Sequence, residues 1–379
     1  MADSTHGSAP EAPEPHAAGS AGSATPAEAS PGGHSAPPPS VIVQVGGRRL
    51  GRALAWIGWI GFGTCALLLI GQAITLQEYF DTTGGIREKY HSGNKHGLDK
   101  IAIISVEGAI LEGSGFVKKQ IDRVRGDEHV KAVVVRIESP GGTVYGSDFI
   151  YHHLKTLREE KKIPLVVSMG SVAASGGYYV AMAVGDRDRS IYAEPMTTTG
   201  SIGVIIPHYD LSGLMERFDI RDDSLVTHPR KRMLSMTRPI SDDHRVLLQA
   251  QLDEAFQRFK DVIKEGRPAF RADPEALDQL ATGEIFTANQ AKKHGLVDEI
   301  GFIEDAIDRA IELAGLDKQE TRVVEFRRAG SLLDIPFLAK TDRRGMDLAT
   351  LFDLSTPRMY YLATTLPTLM RRQSGRSDR

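Results

Sequence analysis

Hydrophobic positions follow three regimes along the chain. Residues 1–47 hold almost no large apolar side chains, 53–76 are apolar without interruption by charge, and from Lys100 to about Leu316 short β-branched runs alternate with amphipathic stretches. The third regime predicts parallel strands joined by helical crossovers, an α/β domain over residues 100–316. Strands are predicted at 101–106, 130–137, 164–169, 190–193 and 201–206. Between them, SDFIYHHLKTLREEKK places Phe149, Leu154 and Leu157 on one helical face. A long helix is predicted over 241–264. Ser241 suits its N-cap, Asp242 and Asp243 follow in the first turn, and Leu248, Leu252, Ala255, Phe259 and Val262 form its apolar stripe. Gly266 and Pro268 end it. Further helices are predicted near 287–294 and 303–313. Past 316 the alternation fades towards the basic RRQSGRSDR, which reads as a C-terminal appendage, 317–379, with a frayed end.

The apolar run ALAWIGWIGFGTCALLLIGQAITL, residues 53–76, has the length of a membrane span. As a helix it reaches about 36 Å at 1.5 Å per residue, against a hydrocarbon core of roughly 30 Å. Trp56, Trp59 and Tyr79 stand near its ends, where amphipathic rings prefer the headgroup region. A buried soluble helix is one alternative. A cleaved secretory signal is another, with Gly71 and Ala73 as the small residues, but the run is too long and starts too late for it. The expectation is an uncleaved anchor in contact with the lipid bilayer, followed by a linker over 77–99. Arg48, Arg49 and Arg52 precede the run, and Glu78 and Asp81 follow it. The positive-inside rule therefore predicts a cytoplasmic N-terminus and an extracytoplasmic remainder, an asymmetry weakened by Arg87, Lys89, Lys95 and Lys100.

Composition narrows the function classes. The stretch 1–47 carries eight of the 19 prolines and no Lys or Arg. It predicts disorder, because it has too little apolar surface to offset about 1–2 kcal/mol of backbone entropy per residue. Its histidines, His6, His16 and His34, are isolated and read as solvated. The whole chain balances 46 Lys and Arg against 49 Asp and Glu, for a net charge of −3, which argues against nucleic acid as a partner. A single cysteine, Cys65, excludes an internal disulfide framework and a cysteine zinc site. GSGFVKK lacks P-loop spacing, no HExxH helix occurs and no carboxylate cluster suggests a metal, so no cofactor is expected.

Candidate chemistry lies between residues 138 and 235. The turn SPGGTVYG directly follows the strand KAVVVRIE, and its glycines can present backbone N–H groups outward. Gly141 or Gly142 would then donate to the charge developing on a carbonyl oxygen, although an ordinary tight turn accounts for the same residues. In MGSVAASGGYYVAMAV, Ser175 ends a strand and precedes Gly176, Gly177 and an apolar helix. It is placed either as a nucleophile near unpaired N–H groups or as a helix cap, with Ser171 as a rival nucleophile. A serine nucleophile needs a base. The histidines nearby, His208, His228 and His244, stand in settings that single out none of them. A lysine serves instead when burial or adjacent positive charge favours the neutral amine. Between Lys162 and Lys260 the chain has only Lys231, flanked by Arg230 and Arg232, although such a run also suits a solvated basic loop. In TTTGSIGVI, Ser201 stands where a hydroxyl can hold an amine in place.

In order and spacing, SPGG, GSVAASGGYY, TTTGSIGV and GEIFTANQAKKHGLVDEIG resemble the SppA signal peptide peptidases over roughly residues 100–316. Those are membrane-anchored serine-lysine peptidases with a fold related to ClpP and crotonase. The resemblance implies a spiral of repeated ββα units with Ser175 as nucleophile, Lys231 as general base and Ser201 orienting that base. It also implies an oxyanion hole of Gly141, Gly142 and Gly176, a homo-oligomer whose neighbouring subunits build the sites, and hydrophobic peptide substrates such as remnant signal peptides. The implied location is the bacterial cytoplasmic membrane. The chain departs from the family in reading VTHP where a lysine-serine-glycine stretch is usual, and in carrying Glu138 where a neutral polar residue is common. Two other classes fit parts of the pattern. A crotonase-like acyl-CoA enzyme would share the oxyanion turn, and a catalytically silent scaffold would share the fold.

Overall fold

The computed structural model describes residues 47–80, 85–328 and 359–362. The disorder expected before residue 47 and the frayed C-terminal end fall outside the described residues. Helix α1 (Gly47–Phe80) runs for 34 residues. It contains an apolar stretch, Leu54–Gln72, long enough by length and composition to cross a bilayer, and Trp56, Trp59, Phe62 and Leu67 are exposed along it.

The second unit builds a sheet from elements in the following order. First come β1 (Ile86–Gly93), β2 (Lys100–Glu107), α2 (Phe116–Arg125), β3 (Val130–Ser139), β4 (Gly141–Thr143), α3 (Val144–Lys161), β5 (Leu165–Ala174) and α4 (Gly176–Ala181). Next are β6 (Ile191–Ala193), β7 (Thr198–Gly200), α5 (Ser212–Arg217), α6 (Asp242–Gly266), α7 (Pro268–Ala272), α8 (Pro274–Leu280) and β8 (Ile285–Thr287). The last are α9 (Ala288–Lys293), β9 (Glu299–Ile300), α10 (Ile303–Ala314), β10 (Arg322–Arg328) and β11 (Tyr360–Leu362). Among the described residues nine strands form the main sheet, in the order β1-β10-β2-β3-β5-β6-β9, with β7 between β5 and β8. All its pairings are parallel except β1 with β10 and β7 with β8. A second, two-stranded sheet joins β4 to β11.

The central strands KIAIISVE and VKAVVVRIES are apolar almost without alternation because both faces of a parallel sheet are covered. On one face Ala102, Ile104, Val133 and Val135 meet α2, α3, α4 and α6 through Ile121, Leu154, Val180 and Phe259. On the other, Ile101, Ile103, Ala132 and Val134 meet Ala306, Ala310 and Ile311 of α10. The helix predicted over 241–264 is α6, and its Ser241 hydroxyl accepts from the His244 N–H at 3.4 Å, as a cap does. Those predicted near 287–294 and 303–313 are α9 and α10, the former closed by a capping box of Thr287 and Gln290.

Three strand expectations need correction. The segment 201–206 is not a strand, apart from a bridge between Ile205 and Tyr360. The strand lies just before it as β7, because Gly200 (φ +83°) and Ser201 (φ +51°) are consecutive left-handed residues that break an extended run. Strand β5 runs on to Ala174, five residues beyond its expected end. Strands β1 and β10 fall outside 100–316, in stretches read as linker and appendage. Both are rich in charge, and the antiparallel pair they form, Ile86 opposite Arg328, spans more than two hundred residues of chain. One ion cluster fastens this edge. Lys100, 8% exposed, donates to Glu88 of β1 at 3.0 Å and to Asp127, in the turn before β3, at 2.8 Å. Burial by itself would raise the Asp127 carboxyl. The Lys100 hydrogen bond and the His129 N–H outweigh it and hold the group below the ordinary carboxylate range.

Candidate active site

The site forms where β3 and β5 leave the sheet. At the end of β3, the Ser139 hydroxyl donates to the Gly108 carbonyl at 2.6 Å and accepts from the Gly141 N–H at 3.1 Å. This turns the chain sharply, with Gly141 at φ +98°. Ile110 then bonds both flanking peptides. Its N–H donates to the Gly141 carbonyl at 2.9 Å, and its carbonyl accepts from the Thr143 N–H at 2.8 Å. With that side occupied, the Gly142 N–H faces the opposite side. Side chains do not fit here: a Cβ on Gly142 would stand 2.0 Å from the Ile110 carbonyl oxygen, and one on Gly141 2.7 Å from the Gly176 nitrogen. A Cβ on Gly176 would in turn stand 3.1 Å from the Gly142 nitrogen, so the two glycines are packed close together. Of the two turn glycines, Gly142 turns its N–H towards the strand 359–362, since that of Gly141 is held by Ser139.

Ser175 follows the last residue of β5 with φ +53° and ψ −114°, a conformation that L-residues avoid. Its N–H donates to the Gly200 carbonyl at 2.7 Å, and its carbonyl accepts from the Tyr179 N–H at 2.8 Å, which starts α4. The side chain does not cap that helix. Its hydroxyl is buried, the residue being 1% exposed, and has no hydrogen-bond partner among the described residues. Such an orphan is rare, because an unpaired buried polar group is costly. The rival Ser171 is exposed instead and bound to Glu138, whose carboxylate accepts from both its N–H, at 2.8 Å, and its hydroxyl. That contact gives Glu138 a local role.

Ser201 is buried and sits beside Ser175. Ala174 and Gly200 are paired across β5 and β7, and each serine comes one residue later, on strands about 4.8 Å apart. The Ser201 N–H donates to the Glu284 carbonyl at 2.6 Å. Next to it an open cavity of ≈ 320 Å³ is bordered by Ile202, Ile205, Leu252, Phe256 and Gly283. The structure does not bring Lys231 to the serine. It lies exposed in a 3-10 turn, Pro229–Arg232, started by His228, whose Nδ1 accepts from the Arg230 N–H at 3.2 Å. His208 pairs instead with the Ser235 carbonyl at 3.1 Å, and no histidine among the described residues bonds the Ser175 hydroxyl.

One wall of the site was absent from the sequence reading. Residues 359–362 lie against the glycine turn, with Tyr361 opposite Gly142 and Tyr360 opposite Thr143. The Tyr361 ring is 0% exposed, packed on Tyr179 and Phe259 at 5.1 and 4.6 Å between centroids. Its hydroxyl donates to the Ala255 carbonyl at 2.7 Å, and burial pushes that phenol well above its ordinary value, so it stays a neutral donor. The only hint in the sequence is the short apolar alternation in RMYYL, far from any other motif.

Comparison with known proteins identifies the family. Residues 157–317 match peptidase family S49. The chain is 38% identical over 224 residues to the putative protease slr0021 of Synechocystis sp., covering 59% of this chain and 78% of that protein. It is 33% identical over 279 residues to a putative signal peptide peptidase SppA of Enterococcus faecium, covering 66% and 79%. It is also 35% identical over 224 residues to Protease 4 of Salmonella typhi, where the match spans 57% of this chain but 35% of that longer protein. The serine turn, the glycine pair and these extended matches carry one conclusion: the chain belongs to peptidase family S49.

Proposed function

We propose that this peptidase is a membrane-anchored serine endopeptidase working by a serine-lysine mechanism on hydrophobic peptides such as remnant signal peptides. The observation that carries the reading is the buried Ser175 hydroxyl, without a partner among the described residues, on a strained turn beside the close-packed Gly142 and Gly176. In the reaction, neutral Lys231 takes the Ser175 proton as Oγ bonds to the substrate carbonyl carbon, and the Gly142 and Gly176 N–H groups hold the oxyanion. The C–N bond then breaks, Lys231 returns the proton to the leaving amine, and water hydrolyses the acyl ester by the same route. Ser201, adjacent to Ser175, orients the amine.

Lys231 reaches the serine from a neighbouring subunit. Supporting this, it is exposed on a segment that also exposes Tyr209, Leu214, Phe218, Ile220 and Leu225, the last 97% exposed. An apolar surface of this kind marks a protein contact. The apolar stretch of α1 anchors each subunit in the bacterial cytoplasmic membrane, and the cations before it favour a cytoplasmic N-terminus with the peptidase outside.

The test is hydrolysis of apolar fluorogenic peptides by the full chain in detergent from pH 6 to 10, beside Ser175→Ala and Lys231→Ala. Because a lysine amine ordinarily loses its proton near about 10.4, the rate should climb with pH and vanish in both variants. Retained activity in Lys231→Ala, or an acidic limb near pH 6, would move the base to a histidine. A folded wild type that cuts nothing would favour the silent scaffold.

A further inference from the structure

We infer that Glu138 is a positioning residue for the nucleophile: its carboxylate holds a bulge in β5 that sets Ser175 level with the glycine turn. The inference rests on the peptidase reading above and adds a residue to it.

The register of the two strands shows the bulge. Strands β3 and β5 run parallel, with Val133 to Ile137 opposite Leu165 to Met169 one for one. The next pair is Ser139 with Ala173, so a single residue of β3, Glu138, faces three of β5, Gly170, Ser171 and Val172. An unbroken ladder would place Ser171 opposite Ser139 and Ser175 opposite Thr143. The two extra residues draw Ser175 back by about 6.6 Å, at about 3.3 Å per residue, to the level of Gly141. That level agrees with the close approach of Gly141 to its neighbours, since a Cβ there would stand 3.1 Å from the Ala174 carbonyl oxygen and 2.7 Å from the Gly176 nitrogen. Strand β5 also changes partner at this point: Val167 to Met169 pair with β6, and Val172 to Ala174 with β7. A bulge bends its strand and re-aims the side chains beyond it. Ser171, at the middle of this one, precedes Ser175 by four residues.

The bulge is held by side chains. Glu138 accepts from the Ser171 N–H at 2.8 Å and from the Ser171 hydroxyl. The buried Thr197 hydroxyl donates to the Gly170 carbonyl at 2.6 Å. Peptide groups pushed out of a ladder need other partners, and these bonds supply them. Gly170 leaves room for the carboxylate, because a Cβ there would collide with it and stand 2.8 Å from Nη2 of Arg136. The backbone of Glu138 belongs to the other half of the site. Its carbonyl accepts from the Gly108 N–H at 2.8 Å, beside the Ser139 hydroxyl that shapes the glycine turn. One residue thus ties the glycine turn to the strand that carries the nucleophile. What its side chain supplies is reach rather than charge, since both Ser171 donors are neutral.

The experiment compares the full-length wild type in detergent with Glu138→Gln, Glu138→Asp and Glu138→Ala on an apolar fluorogenic peptide. Glutamine keeps the reach and an oxygen for the Ser171 N–H, whereas aspartate keeps the charge but is shorter by one methylene. A nucleophile misplaced by about 1 Å costs about a hundredfold in rate. Aspartate and alanine should therefore lower kcat roughly a hundredfold at unchanged KM, and glutamine should restore most of that loss. If the alanine variant does not melt cooperatively, the contrast between aspartate and glutamine carries the test. A second arm needs no turnover. Amide hydrogen exchange, read residue by residue in the same chains, should quicken at least about tenfold in Glu138→Asp at the Ser175 N–H, which the Gly200 carbonyl holds in the wild type, as well as at Ser171. Faster exchange confined to Ser171 overturns the proposal. So does an aspartate variant with wild-type kcat, a glutamine variant as slow as alanine, or a rise in KM at unchanged kcat. A wild type that hydrolyses nothing, with Ser175 exchange quickened in Glu138→Asp, sustains the placement and overturns the peptidase mechanism instead.

Discussion

Ser175 is held at φ +53° and ψ −114°, where a β-carbon is unwelcome, and its hydroxyl is left without a partner in a buried place. Both features cost stability, and neither would persist in a residue kept for packing. Replacing it with glycine should therefore stabilise the fold while abolishing hydrolysis. Strain of about 1–3 kcal/mol is relieved against about 0.5–1 kcal/mol of added chain entropy, a net gain near 1 kcal/mol. For a domain of this size that raises Tm by roughly 2–4 °C. Thermal melts of Ser175→Gly and Ser175→Ala read it directly, and a glycine variant that melts below the alanine one would show the turn to be unstrained. Gly142→Ala should do the reverse, since its Cβ would stand 2.0–2.6 Å from three backbone atoms of Ile110 that cannot move without the β3 turn. It should lower both Tm and activity. The strand-serine-glycine-helix order was readable from local sequence because each step is local. Which turn glycine has its N–H held inside the turn was not, because that depends on the Ser139 hydroxyl and on Ile110, about thirty residues upstream.

Among the elements, those buried on two faces were legible and those at the sheet edge were not. Strands β2 and β3 announce themselves as unbroken β-branched runs, and α6 by its stripe, its Ser241 cap and its terminal Gly266. Strand β1 buries only Ile86, and β1 and β10 find each other only across the whole domain, so no window of sequence contains the reason for their pairing. What stabilises that edge is charge. Asp127→Asn should cost about 2 kcal/mol at pH 7, the value of a hydrogen bond to a charged partner, by leaving Lys100 with Glu88 alone. The folded Asp127 carboxyl lies below its unfolded value, so its contribution is complete above the ordinary carboxylate range and fades as pH falls through the folded value. Urea melts of wild type and Asp127→Asn should differ at pH 7 and converge towards pH 3. A gap that persists in acid would mean that the substitution acts through packing rather than through the ion pair.

At the scale of the whole molecule, the proposed mechanism turns on how Ser175 meets Lys231. The sequence offers one lysine in a stretch of nearly a hundred residues, but spacing along the chain cannot say on whose serine it acts. The fold adds a physical constraint: Ser175 is buried and without a partner, whereas Lys231 is exposed on an apolar-rich segment. The proposed site completed by a second copy satisfies both, because association would bury those apolar side chains and carry the amine to the neighbour's serine. The distinction is testable by mixing two inactive chains. If serine and lysine come from the same subunit, no mixture of Ser175→Ala and Lys231→Ala contains an intact pair, and the mixture stays inactive. If neighbours supply them, random co-assembly gives half the sites an intact serine and half of those an intact neighbouring lysine, so about a quarter of wild-type activity returns. The readout is hydrolysis after co-expression of the two full-length variants in one membrane. Activity that depends on co-expression, and is absent when separately assembled samples are combined, places the base in the partner subunit and makes assembly a condition of catalysis.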